Sequence, residues 1–170
     1  MTKNKQHQRQ QKAHKYSCVI NSCVGKLGIV VTNNQIAKID YLSSKACLIS
    51  PKNLITRRVV AKIKKYFCNP KLKFDWAMNL NGTVLQVKIW QALQKIPSGK
   101  TITYGELARK IGTSPRVIGN ACRRNPLPII IPCHRVVAAS GLGGYCDNIN
   151  SGVVKIKERL LRYENKNAAV

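Results

Sequence analysis

The spacing of apolar positions changes character near the middle of the chain. Up to about Lys15 there is almost no apolar residue, only Lys, Gln and His among other polar ones, so residues 1–15 read as a disordered basic tail. Three short runs rich in Val and Ile follow: Tyr16 to Asn21, Leu27 to Thr32 and Ile36 to Tyr41. Gly25 and Asn33-Asn34 supply turns between them, which predicts an antiparallel meander. From Asn53 to Phe67 the residues Leu54, Ile55, Val59, Val60, Ile63 and Phe67 share one face at helical spacing, and Asn69-Pro70 ends that helix. The stretch to about Leu80 reads as a linker with an extended segment. Residues 16–80 therefore predict a small α/β domain.

Beyond it the period is helical. Val84 to Ile96 places Leu85, Ile89, Trp90, Leu93 and Ile96 on one face, and Pro97-Ser98-Gly99 stops the helix. Thr103 and Glu106 have capping-box spacing, which starts a helix running to Gly112. Ser114-Pro115 opens another, a capping serine followed by proline at the first helical position, continuing to about Arg124. Two short helices across Gly112-Thr113-Ser114 make a helix-turn-helix candidate; the plain alternative is two core helices of an α-rich domain. In the second helix the small residues Gly119 and Ala121 allow a close backbone approach, with Arg116 before them and Arg123 and Arg124 after. Small residues flanked by arginines suit a narrow groove better than base reading by long side chains. A domain over 81–165 results, with 166–170 as a tail.

Asn125-Pro126-Leu127-Pro128 excludes helix, because two prolines fix the path. Ile129 to Ile131 is expected to be a short buried strand or extended core segment that delivers Pro132-Cys133-His134-Arg135. Cys133 is the candidate nucleophile, since a neighbouring His or Arg favours the thiolate. Local chemistry leaves an inert core cysteine as an equal alternative.

Charge adds a partner to this picture. Thirty Lys and Arg against six Asp and Glu give +24, with both halves of the chain basic. Such a field attracts polyanions, nucleic acid first and an anionic membrane surface second. No stretch reads as a signal peptide or a membrane span, so a soluble cytoplasmic protein is expected. Seven cysteines without framework spacing read as reduced thiols. Cys18 and Cys23 lack a second ligand pair at zinc spacing, so no metal is expected.

From Gly82 to Glu164 the sequence resembles the 6-O-alkylguanine-DNA alkyltransferases, a family of direct-reversal repair proteins. The matching text is Gly82-Thr83, Val87 to Leu93, Ile96 to Thr101, Thr103 to Ala108, Asn125-Pro126, Pro132-Cys133-His134-Arg135-Val136, Gly144-Tyr145, and Leu160-Leu161 with Glu164. Half the chain is covered in family order; the N-terminal half matches mainly at Gly25-Lys26-Leu27. The resemblance implies an α/β (α+β) protein, with an RNase H-like N-terminal domain and a helical, winged-helix-like C-terminal domain. It implies that Cys133 accepts the alkyl group, that His134 acts as base on the thiol through a water, and that Glu164 holds the imidazole. Tyr104 would press on the target phosphate, help rotate the nucleotide outward and meet the purine edge. Arg116 would fill the vacated stack and Asn125 would brace the turn beside the site. Val136, Tyr145, Cys146 and Pro128 would line the guanine pocket with Asn125, the first three through backbone groups.

The implied partner is double-stranded DNA carrying an alkylated guanine, met by a monomer without cofactor. Each molecule would work once, because the thioether product is not reversed by thiol exchange. Two departures from the family pattern stand out. The segment Gly112 to Arg116 is shorter than in many members, and about five extra residues follow Tyr145 before the expected lysine. A lesion-binding relative without chemistry, a regulator using only the helix-turn-helix, and a Cys-His hydrolase are the rival readings. Lesion binders of this kind replace the acceptor cysteine, which Cys133 speaks against.

Overall fold

A computed structural model of the chain describes residues 15–76, 78, 80–144 and 151–166. They divide into two compact units. One runs to Cys68 and resumes from Phe74; the other takes Asn69 to Lys73 and everything from Leu80 onward.

The first unit is built on three antiparallel strands in sequential order, β1 (Cys18–Ser22), β2 (Gly25–Thr32) and β3 (Gln35–Leu42). Thr32 pairs with Gln35, so Asn33-Asn34 is a two-residue hairpin loop, and both residues have positive φ, 51° and 58°. Asn tolerates that region, and two such residues in succession match the twist of the flanking strands. Cys18, Leu27, Ile29, Ile36 and Ile39 are buried. Helix α1 (Leu54–Tyr66) starts where the Asn53 side chain accepts from the Thr56 backbone N–H at 2.8 Å, and it buries Val59, Val60, Ile63 and Tyr66. The segment after it is extended in part, with Met78 bridged to Ile36.

The second unit begins with α2 (Val84–Gln94), opened by a capping box between Thr83 and Gln86. The helix ends two residues before Ile96, with Lys95 as its C-cap. Pro97 explains the early stop, since a following proline pushes residue 96 out of the helical region. Two short strands, β4 (Ile102–Thr103) and β5 (Val136–Val137), pair in parallel, Ile102 opposite Val136. Tyr104 follows β4 directly and Cys133–Arg135, a single 3-10 turn, precede β5 directly. Four paired residues thus fix the register between the first helix of the helix-turn-helix and the Cys133 segment.

That pair of helices is α3 (Tyr104–Ile111) and α4 (Pro115–Arg123). Thr103 and Glu106 form the capping box, and Gly112 ends α3 in the left-handed region, φ 78°. The Gly112 and Thr113 N–H groups both bond the Ala108 carbonyl, which satisfies the helix end. Ser114 caps α4, with Pro115 in its first turn. Trp90 of α2 is buried and donates from Nε1 to the Ala121 carbonyl at 2.8 Å, pinning α4 from beneath. Helix α5 (Ser151–Lys166) closes the unit, burying Lys157, Leu160 and Glu164.

The expected extended segment Ile129–Ile131 is instead a turn. The Ile131 N–H bonds the Leu127 carbonyl at 2.8 Å, and Ile129 has φ 78°. A β-branched residue is strained there by about 1–3 kcal/mol. Burial holds it: Leu127, Ile129, Ile130 and Ile131 are at most 3% exposed. A run of three isoleucines between prolines looks the same whether it is strand or buried turn.

No helix among the described residues is long and apolar enough to cross a membrane.

The capping box that starts α3 yields a prediction. Replacing Thr103 by Ala removes the acceptor for the Glu106 N–H and should cost about 1 kcal/mol. Urea denaturation of the two proteins side by side checks it.

Candidate active site

The path into the site is set by backbone chemistry. Pro132 sits at φ −80°, ψ 64°, and the Cys133 N–H bonds the Ile131 carbonyl at 2.8 Å. Those values define an inverse γ-turn, a tight bend that proline's fixed φ favours. The Asn125 side chain braces it. Its Nδ2 donates to the Ile131 carbonyl at 2.8 Å and to Cys133 Sγ at 3.1 Å, while its Oδ1 accepts from the Leu127 N–H at 2.9 Å. A donor aimed at sulfur favours the thiolate over the thiol. Cys133 is 1% exposed, so it meets only a group delivered to it.

His134 follows Cys133 directly in sequence and pairs with Glu164 of α5. His134 Nε2 is 2.9 Å from Glu164 Oε1, and both side chains are fully buried. Arg135 adds Nε to Oε2 at 3.0 Å and Nη2 to Oε1 at 2.7 Å, and its Nη1 donates to the Ile96 carbonyl at 2.5 Å. The Gly99 N–H also donates to Oε2, at 3.3 Å. Burial alone would raise the Glu164 carboxyl, yet the hydrogen bonds and charges of His134 and Arg135 outweigh it and hold it well below the usual carboxylate range. For His134 burial is the larger influence and lowers its pKa, although Glu164 opposes that. The pair is therefore neutral imidazole against carboxylate at neutral pH. An ionised Oε1 only accepts, so Nε2 carries the ring proton and Nδ1 is left as the basic nitrogen. Nδ1 is buried and has no hydrogen-bond partner among the described residues.

Lys157 was not legible as a site residue. It is fully buried, and its ammonium donates to the carbonyls of Val136 at 2.7 Å, Leu142 at 2.5 Å and Gly144 at 3.1 Å. Its Nζ also stands 5.7 Å from the centre of the Tyr104 ring. One cation thus ties α5 to the strand after Cys133, to the segment 142–144 and to the start of α3. Tyr104 donates from its hydroxyl to the Gly144 carbonyl at 3.1 Å. Burial is the chief influence on the nearby Cys122 thiol and raises its pKa; Cys133 adds to the rise and Lys157 opposes it. Cys122 thereby stays a thiol beside Cys133.

Other expected residues fall into place or do not. Arg116, Arg123 and Arg124 are exposed, and a Cβ added at Gly119 would meet open space. Ala121 is corrected: it is 1% exposed and its carbonyl accepts from the Trp90 indole, so its side chain belongs to the core and not to a DNA-facing surface. Asn120 is exposed instead, completing a face with Arg116, Gly119 and Arg123 at helical spacing. The 3.6-residue period from Arg116 could have found it. Val136 and Pro128 are buried, and the Val136 carbonyl is bonded to Lys157. Tyr145 and Cys146 lie outside the described residues.

With this geometry in hand, the relatives are informative. A family model described as the 6-O-methylguanine DNA methyltransferase DNA-binding domain matches residues 84–166. The methylated-DNA–protein-cysteine methyltransferase of Methanosarcina acetivorans is 32% identical over 157 residues, 88% of this chain and 97% of that protein. The protein of the same name from Mycobacterium tuberculosis is 37% identical over 157 residues, 88% of this chain and 92% of its own. Crystal structures of the M. tuberculosis O6-methylguanine methyltransferase, and of the OGT from that organism in complex with DNA, are similar in fold. Their TM-scores are 0.74 and 0.73, each at 32% identity over 88% of this chain and 92% of the other. The mixed α/β fold, with its small sheets and five helices among the described residues, is thus that of a DNA methyltransferase of the repair type. The chain belongs to the methylated-DNA–protein-cysteine methyltransferase family.

The buried carboxylate yields a pH-dependent prediction. Glu164→Gln leaves Arg135 without its charge partner and should cost about 3 kcal/mol at pH 7. A carboxyl whose folded pKa is depressed stabilises above its unfolded value, near 4.3, and loses that contribution as pH falls further. The gap between wild type and variant should therefore hold from pH 7 to about 5 and narrow below about 4. Urea midpoints across that range measure it; a gap independent of pH would contradict the assignment.

Proposed function

We propose that the protein repairs 6-O-alkylguanine in double-stranded DNA by moving the alkyl group to its own Cys133, once per molecule and without cofactor. The observation that carries this reading is the Asn125–Cys133 hydrogen bond beside the His134–Glu164 pair, inside a chain of this family. The base must leave the stack, since a duplex hides its 6-oxygen. Cys133 Sγ then attacks the alkyl carbon, the C–O bond breaks, and guanine departs as its anion. The thiol proton passes to His134 Nδ1, through a water, and ends on the guanine. Tyr104 and nearby backbone N–H groups offset the charge that develops on the purine.

The remaining roles follow the same reading. The second unit carries both DNA binding and chemistry, as a winged-helix-like domain over 81–165. The N-terminal α/β domain over 16–80 is RNase H-like. Arg116 enters the space the nucleotide leaves, and Gly119, Arg123 and Arg124 serve the approach to the backbone, with Asn125 holding the reactive turn. Backbone groups at Val136, Tyr145 and Cys146, with Pro128, read the flipped guanine. The protein acts as a monomer in the cytoplasm.

Incubating the protein with DNA labelled on the methyl of 6-O-methylguanine tests the reading. One label per protein is expected, on Cys133, with none on a Cys133→Ala variant that still binds the DNA. Label released to water, or several turnovers per molecule, would overturn it.

A further inference from the structure

A groove of about 660 Å3 opens on the second unit away from any residue of α4. Its floor includes Ile96, Ile102 and Ile111, each half-buried. Its walls carry four exposed lysines, Lys88 and Lys95 from α2 and its end, Lys100 from the loop and Lys110 from α3. The one acid lining it, Glu106, is engaged by the Thr103 N–H and hydroxyl at 2.8 Å each. Four cations around an apolar floor ask for an occupant that is acidic and apolar at once.

Two occupants fit poorly. Duplex DNA would lay a hydrated phosphate backbone over the isoleucines and leave them uncovered. A second copy of this chain has only six acids, scattered singly along the sequence, so no segment of it carries the complement. An extended peptide alternating acidic and apolar side chains meets both demands: its apolar residues cover the floor and its carboxylates face the lysines. We infer that this groove docks an acidic, apolar-containing peptide segment of a partner protein. Such docking leaves the exposed arginine face of α4 uncovered.

Fluorescence anisotropy with the full chain in about 0.15 M salt, where long-range attraction is screened, tests it. The probes are labelled decapeptides: alternating glutamate and leucine, glutamate alone, and alternating glutamine and leucine. The alternating acidic peptide should bind at least tenfold more tightly than either comparator. Lys95→Glu with Lys100→Glu should weaken it at least tenfold, and Lys110→Glu, on the other wall, should weaken it too. Lys45→Glu with Lys52→Glu changes the net charge equally at exposed sites of the first unit and should leave binding within twofold. Methyl transfer should be unchanged in all of these variants, which separates this inference from the activity itself. Equal binding of polyglutamate, or equal loss in both double variants, would reduce the effect to general charge attraction and overturn the proposal. So would a loss of duplex affinity in the groove variants larger than their loss of peptide affinity, which would make the groove a nucleic-acid surface.

Discussion

A single buried carboxylate organises the site. Glu164 accepts hydrogen bonds from His134, from Arg135 twice and from the Gly99 N–H. Those partners come from the 3-10 turn after Pro132 and from the loop after α2, while the carboxylate itself comes from α5. Removing a charge from water costs several kcal/mol unless its partners are well placed. Here they are, so the carboxylate stays ionised and three stretches of chain far apart in sequence are drawn to one point. Lys157 does the complementary task about two helical turns earlier on α5, gathering three carbonyls around a buried ammonium. The two opposite charges fix the last helix against the segment that bears Cys133.

That arrangement also sets the chemistry. An ionised Glu164 that accepts from Nε2 assigns the proton on the imidazole and keeps the other nitrogen basic. Asn125 approaches the sulfur from the opposite end of the same turn and stabilises negative charge on it. The parallel pair β4–β5 then fixes Tyr104, at the start of the helix-turn-helix, relative to Cys133. The two short helices and the Cys133 segment are thus held in one unit, which suits a step whose efficiency depends on delivering one carbon to one sulfur. A protein carrying +24 is drawn to DNA by charge.

Local signals were the legible ones. The Asn33-Asn34 turn, the Thr103–Glu106 capping box and the Ser114-Pro115 start are each decided by residues within four positions of one another, and each formed as read. Family text supplied Cys133, His134, Glu164 and Asn125, and the structure brings these four together. What escaped depends on distant contacts. Ile129–Ile131 looked extended because apolar identity says nothing of φ; packing imposes the turn. Ala121 looked like part of a small-residue surface, but Trp90, thirty-one positions earlier, turns it inward. Lys157 and the bidentate grip of Arg135 were invisible because a lysine or arginine in sequence is presumed solvated, and only the fold reveals carbonyls or a carboxylate around it.

The state of the His134 ring tests the account most directly. Long-range proton–nitrogen NMR of the full chain reports which ring nitrogen carries hydrogen. The account predicts a neutral imidazole at pH 7, protonated on Nε2 and bare on Nδ1, with its pKa below the ordinary histidine value of about 6.5. An imidazolium at pH 7, or a proton on Nδ1, would contradict it.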